Sequence, residues 1–192
     1  TDVDPYQIEN LNQLRFISEN TGYWDKHYIQ IANIDASETS TWNGGEGWSP
    51  IGNTTVMFTG SYNGQSFAIN NLYINRPTQE NVGFFGRTFN TTIQNIKITN
   101  ANISGLSRVG VFSGSTSSTT LLNIHCTGQL TSTGDFAGGL AGYVSSRTVT
   151  NCSSNVTISG NNSVGGLIGY LNNNTVSNCY SNSPINATGN YV

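Results

Sequence analysis

Breaking a glycosidic bond requires two carboxylates, or a carboxylate and a base, converging on one groove. This chain carries ten acids, and Asp135 is the only one after Glu80. The others (Asp2, Asp4, Glu9, Glu19, Asp25, Asp35, Glu38, Glu46 and Glu80) are spread over the first eighty residues. Asp135 sits in a glycine-flanked turn, aligned beside Ser107 and diagonal to Arg108, so a surface ion pair is expected there. Asp25, beside Lys26 and His27, is a small local cluster with the look of a solvated turn. His27 and His125 lie far apart, and neither HExxH nor Cys-x-x-Cys occurs, which removes the usual zinc and peptidase spacings. No catalytic, metal-binding or cofactor-binding residue is therefore expected. The glycine-rich "SVGGLIGY" at 163–170 would suit a phosphate only if a helix followed it, and no helix-forming segment does.

The composition points to the elements that must position any site. Charged residues make up 9% of the 192, with a formal net charge of -3 and no basic run, which excludes a nucleic-acid surface. Eight Phe, nine Tyr and three Trp set the chain apart from a disordered polar segment. β-branched residues between Asn, Gly, Ser and Thr corners predict an all-β protein. No apolar stretch approaches the roughly 20 residues a membrane span needs. The sequence begins without a signal peptide, which is consistent with one having been removed.

Periodicity gives the architecture. "GFFG" at 83–86, "VFSG" at 111–114, "GLAG" at 139–142 and "GLIG" at 166–169 start 28, 28 and 27 residues apart. In phase with them, "TIQNIKI", "TLLNIHC", "TVTNCSS" and "TVSNCYS" place Asn95, Asn123, Asn151 and Asn178 at matching intervals, with Asn71 of "AINNLYI" one shorter coil earlier. A third column holds Ile103, Leu130, Ile158 and Ile185. Three strands per coil of about 27–28 residues predict a parallel β-helix, right-handed by the general rule for parallel crossovers. Parity sends Leu72, Ile96, Ile124, Cys152 and Cys179 inward, and Tyr73, Lys97, His125, Ser153 and Tyr180 outward. Ile93 and Ile96 can both point inward only if the strand bends at Asn95, and Val164 and Leu167 only if it bends at Gly165-Gly166. Gly83, Gly86, Gly139, Gly142, Gly166 and Gly169 are accordingly read as corners, together with the Asn column.

Ile8, Leu11, Leu14 and Ile17 have helical spacing, so a capping helix is expected over roughly 7–20, stopped by Gly22. Strands follow around 28–34 and 55–74. The expected division is 1–54 for the capping helix and first strands and 55–192 for the coils, within a single domain whose C-terminal edge is uncapped. Cys152 and Cys179 align one coil apart, within disulfide range or as a reduced buried pair, and Cys126 is a free core thiol. Eight Asn-x-Ser/Thr sequons occur, of which Asn90, Asn173, Asn161 and Asn53 are the glycosylation candidates and Asn151 is expected to be protected. Tyr143 and Tyr170 align on adjacent coils, as do Trp42 and Trp48 near the cap. Stacked tyrosines can bind sugar rings or simply cover the coil edge.

These segments resemble the GLUG-repeat family. The likeness runs from "YQIENLNQLRFI" through "YIQIANIDAS", "GWSPIG", "FTGSYNGQSFAINNLYIN" and "NVGFFG" into the repeats. "VFSG" departs from the Gly-Leu-hydrophobic-Gly pattern, and "YNGQSFAI" replaces a commonly more titratable segment. The resemblance implies parallel β-helical segments of large secreted or surface proteins, including adhesin-like proteins and non-catalytic parts of immunoglobulin-cleaving metallopeptidases. The expectation is a non-catalytic structural segment of an extracellular protein, an adhesin stalk or filament subunit. Its partners would be further coils of the same chain, or other copies of itself, at the C-terminal edge, with no nucleic acid. The alternatives are a glycan-binding module contacting cell-surface glycans or, less favoured, a β-helix enzyme acting on polysaccharides.

Overall fold

The computed structural model describes residues 3–145 and 147–192, so Asp2 lies outside it. It is an all-β parallel solenoid with three sheets, and every strand-to-strand pairing among the described residues is parallel. Phe85, Ser113, Ala141 and Ile168 stand in register in the four-stranded sheet. Val109, Ala137 and Val164 do so in the three-stranded sheet. In the large sheet, Ile74, Ile103, Leu130, Ile158 and Ile185 form one unbroken column, as do Ile93, Leu121, Val149 and Val176. Each coil alone exposes its apolar side, and stacking buries these columns against one another.

The first strands belong to the same sheet. Tyr6–Ile8 pairs with His27–Gln30, which pairs with Ser61–Asn63, which continues onto the strand Thr92–Gly105. The early register steps are long: Tyr28 faces Tyr62 and Ile34 faces Ile69. A longer coil encloses a wider cross-section, and Trp48, Phe58, Tyr62, Phe84, Phe85 and Phe112 fill it. Beyond Phe112, Val, Leu, Ile, Ala and Cys suffice. Buried Gln30 is satisfied: its amide donates to the carbonyls of Ala32 and Ala68, and it accepts from the Tyr62 hydroxyl at 3.2 Å.

The helix is shorter than its apolar spacing implied, spanning Leu11–Glu19. Asn10 ends it at the N-terminus by a reciprocal capping box with Gln13, which leaves Ile8 free to act as a strand residue. Asn20 rather than Gly22 stops it, donating its side-chain amide to the Phe16 carbonyl. Leu11, Leu14 and Ile17 join the core, and the Trp24 indole donates to the Ile17 carbonyl at 2.8 Å. Among the described residues no helix is long and apolar enough to cross a membrane.

The corners differ from expectation in two ways. First, none of the six motif glycines has a left-handed backbone. At these motifs the bends fall on Asn81, Arg108, Phe136 and Ser163, with φ of 59°, 53°, 63° and 52°, whereas Asn95, Asn123, Asn151 and Asn178 bend as expected, with φ of 57°, 54°, 55° and 52°. The glycines are needed instead because backbones approach closely there: a Cβ at Gly169 would stand 2.7 Å from the Ala137 nitrogen and the Phe136 carbonyl carbon. The second glycine of each motif thus makes room for the left-handed residue of an adjacent coil. Second, Asn71 does not stack on Asn95. Asn63 occupies that place, accepting from Asn95 at 3.0 Å, and Asn123 donates to Asn95 at 2.8 Å. Asn71 lies under Asn100, which donates to it at 2.7 Å, and Asn71 donates in turn to Asp35 at 3.0 Å. Leu72 and Tyr73 move with it: Tyr73 faces Asn102, and Ala68 faces Lys97. Asn71 thus matches the second of two left-handed asparagines in the next coil, Asn95 and Asn100. Ile98 pairs with Cys126 and Ala101 with Gly128, so Asn100 is an extra, bulged residue relative to the coil that follows, and its column stops there.

Candidate functional site

Among the described residues the acids do not converge. Asp135 accepts from the Asn162 amide at 3.0 Å, and its own N–H reaches the Ser107 hydroxyl. The expected Asp135–Arg108 pair is absent because the Arg108 guanidinium turns to Glu80, 2.6 Å away. Asp25 pairs with Lys26 at 2.9 Å on the surface, and hydrogen bonding to Lys26 holds its carboxyl below the usual range. The His27 imidazole meets the Ser61 hydroxyl at 2.9 Å. Asp35 is likewise held low, first by its bond from Asn71.

His125 repeats the His–Ser arrangement in a later coil and another column, with Ser153 at 2.8 Å and Lys97 beside it in the ladder. Burial first, then the Lys97 charge, hold this imidazole below its ordinary value of 6.5. The unfolded chain therefore takes up a proton before the folded one does. His125's contribution to stability is present above about pH 6.5 and is lost as pH falls through its lower folded value. The thermal midpoint should drop between pH 7.5 and 5.5, and His125→Gln should remove part of that drop.

The three cysteines are free thiols. Cys152 and Cys179 lie one coil apart but are not bonded: the Cys152 thiol donates to the Thr150 carbonyl and the Cys179 thiol toward Ser177. The Cys152 N–H points at the Cys179 sulfur at 3.3 Å, so in-register stacking presents backbone, not sulfur, to sulfur. Burial pushes the Cys152 thiol up to about 12 and raises Cys126 further. Neither is a nucleophile in the folded coil.

Among the sequons, Asn53, Asn90 and Asn173 are exposed and Asn161 is half-buried. Asn53 accepts from the N–H groups of Thr55 and Val56, and Asn90 from Arg147. Asn151 is exposed, against the expectation that the corner would shield it, because its side chain lies on the outer rim while its N–H is held by Ser177.

The aromatic pairs divide. Trp48 is fully buried and stacks on Phe84 at 5.3 Å, with Trp42 on its other side at 6.3 Å. Tyr143 and Tyr170 stack on the outer surface at 5.2 Å and 8°, with Phe136 edge-on to both. In the final coil, Leu171, Val176, Tyr180 and Ile185 remain exposed.

Residues 160–186 match the family model described as the GLUG motif. A stretch of 114 residues, 57% of this chain, is 42% identical to halomucin of Haloquadratum walsbyi. Another of 105 residues is 30% identical to a candidate Gly-rich membrane protein of Evansella cellulosilytica. The matched regions span 1% and 12% of those two proteins. A crystal structure of a candidate immunoglobulin A1 protease from Bacteroides ovatus superposes with a TM-score of 0.67 at 21% identity. The match covers 98% of this chain and 68% of that one, and at this identity it establishes the shared fold alone.

Proposed function

We propose that this chain is a non-catalytic structural segment of a large extracellular surface protein, a stiff solenoid spacer of an adhesin stalk or filament. The observation that carries this reading is the unbroken column Ile74–Ile103–Leu130–Ile158–Ile185, in register to the last coil. A rod of stacked coils transmits position rather than chemistry, and Glu19, Asp25, Asp35, Glu46, Glu80 and Asp135 each sit in a separate local bond. The GLUG motif and the likeness to a small part of halomucin support the surface setting. The exposed Val176 and Ile185 suit a further coil, of this chain or of another copy. Residues 165–191 appended once more after Val192 would continue the register, since Tyr191 stands over Ser163 as Ser163 stands over Phe136. The thermal midpoint should rise, and the amides of Leu171 and Val176 should gain protection from hydrogen exchange. An added segment that exchanges freely and leaves the midpoint unchanged would overturn the reading.

A further inference from the structure

The outer face of the four-stranded sheet carries a ladder with one rung missing. Its outward column reads Arg87, Ser115, Tyr143, Tyr170 in strict register. Tyr170 covers one face of Tyr143 at close to the strand spacing. On the other side the next residue is Ser115, too short to reach a ring, and Arg87 stands one strand beyond. The result is a slot of about 360 Å³ whose walls include Arg87, Arg108, Ser115, Ser117, Tyr143 and Ser145.

Its chemistry is one-sided. Arg108 flanks Tyr143, its guanidinium carbon 6.0 Å from the ring centroid and so at the limit of cation–π contact, and it is anchored by Glu80. The Arg87 guanidinium has no hydrogen-bond or carboxylate partner among the described residues, although its side chain is only half-exposed. Two cations therefore face a space lined by three serines, Thr54, Asn81 and Tyr143.

We propose that this slot binds one anionic pyranose unit of an acidic polysaccharide. The sugar ring takes the place of the missing rung beside Tyr143, where an aromatic face suits its C–H groups. Its carboxylate or sulfate lies between Arg87 and Arg108, whose planar donors fit either anion. Ser117 and Ser145 exchange hydrogen bonds with the ring hydroxyls. An acidic peptide would use the arginines but leave the hydroxyls and the tyrosine face unmatched, which favours the sugar. The site is independent of the scaffold reading, because it needs only these neighbouring coils.

The test is titration calorimetry at low ionic strength with trigalacturonate, a chondroitin sulfate tetrasaccharide, maltotriose and hexaglutamate. At least one acidic sugar should bind at about 1 mM or tighter, and maltotriose at least about tenfold more weakly. Binding of trigalacturonate alone assigns a carboxylate, and of the chondroitin sugar alone a sulfate. Arg87→Gln, which breaks no side-chain hydrogen bond or ion pair among the described residues, should weaken the acidic sugar about tenfold or more. Ser115 forms the buried floor of the slot, so Ser115→Tyr fills it with a ring and should abolish binding at some cost in stability; if it does not fold, Arg87→Gln decides. Absence of acidic-sugar binding, or an affinity unchanged in Arg87→Gln, overturns the proposal. So does hexaglutamate binding as tightly as the sugars.

Discussion

Gly142→Val should destabilise the solenoid by about 3 kcal/mol, among the larger losses a single substitution causes. A Cβ at Gly142 would stand 2.4 Å from the Val109 nitrogen, 2.5 Å from the Arg108 carbonyl carbon and 2.6 Å from the Phe136 oxygen. All three are backbone atoms of the left-handed corners, which cannot swing aside as a long side chain would. Because coil stability is a sum of nearest-neighbour terms, the damage should spread unevenly. The three tryptophans, Trp24, Trp42 and Trp48, all lie at the N-terminal end and report that end alone. In urea, the far-UV circular dichroism transition should move to lower denaturant, while the tryptophan fluorescence transition moves less. Gly22→Ala is the control: nothing lies within 4 Å of its Cβ position, so it should be neutral or stabilise by about 0.5 kcal/mol. Equal midpoints for Gly142→Val and the parent would mean that the motif glycines do not exist for close approach.

That geometry marks the limit of what periodicity can reveal. The spacing of GFFG, VFSG, GLAG and GLIG was enough to predict the coil, its parallel register and its buried columns, because stacking repeats every physical demand once per turn. The bends of the Asn column, Asn95, Asn123, Asn151 and Asn178, were legible, but which residue bends the chain at the glycine motifs was not. Arg108 and Phe136 adopt left-handed angles against their own preference, held there by the backbone beneath them, and nothing in their side chains announces it. Asn71 was misplaced for a related reason. "NLYI" from Asn71 resembles both "NIKI" from Asn95 and "NANI" from Asn100, and the second column is hidden because the bulge at Asn100 keeps it from recurring in the next coil. The helix start was lost to Asn10, whose cap outweighs the helical spacing of Ile8. The tyrosine stack was visible in the sequence, but the slot beside it was not. It requires Arg87 and Ser115 to share that column, and "VFSG" registered only as a weak copy of the motif.

Trp48→Ala should cost about 4 kcal/mol, the transfer and cavity terms for a large buried aromatic combined. Trp48 is wholly buried, stacked on Phe84 at 5.3 Å and 15°, and its indole N–H reaches the Phe84 carbonyl at 3.0 Å. The Phe84 carbonyl would not be orphaned, since the Ile51 N–H also reaches it at 3.1 Å. The loss should therefore be mainly packing, and Trp48→Phe separates the two contributions: a ring restored without the donor should recover all but about 1–2 kcal/mol. Here the change strikes the wide coils, so the response should invert that of Gly142→Val. Fluorescence from the remaining Trp24 and Trp42 should report unfolding at lower urea, while the narrow C-terminal coils, packed by aliphatic columns, should keep more of their circular dichroism signal. If both probes moved together by the same amount in both variants, the molecule would unfold as one unit. The taper from aromatic to aliphatic core would then matter for shape and not for how stability is distributed along the rod.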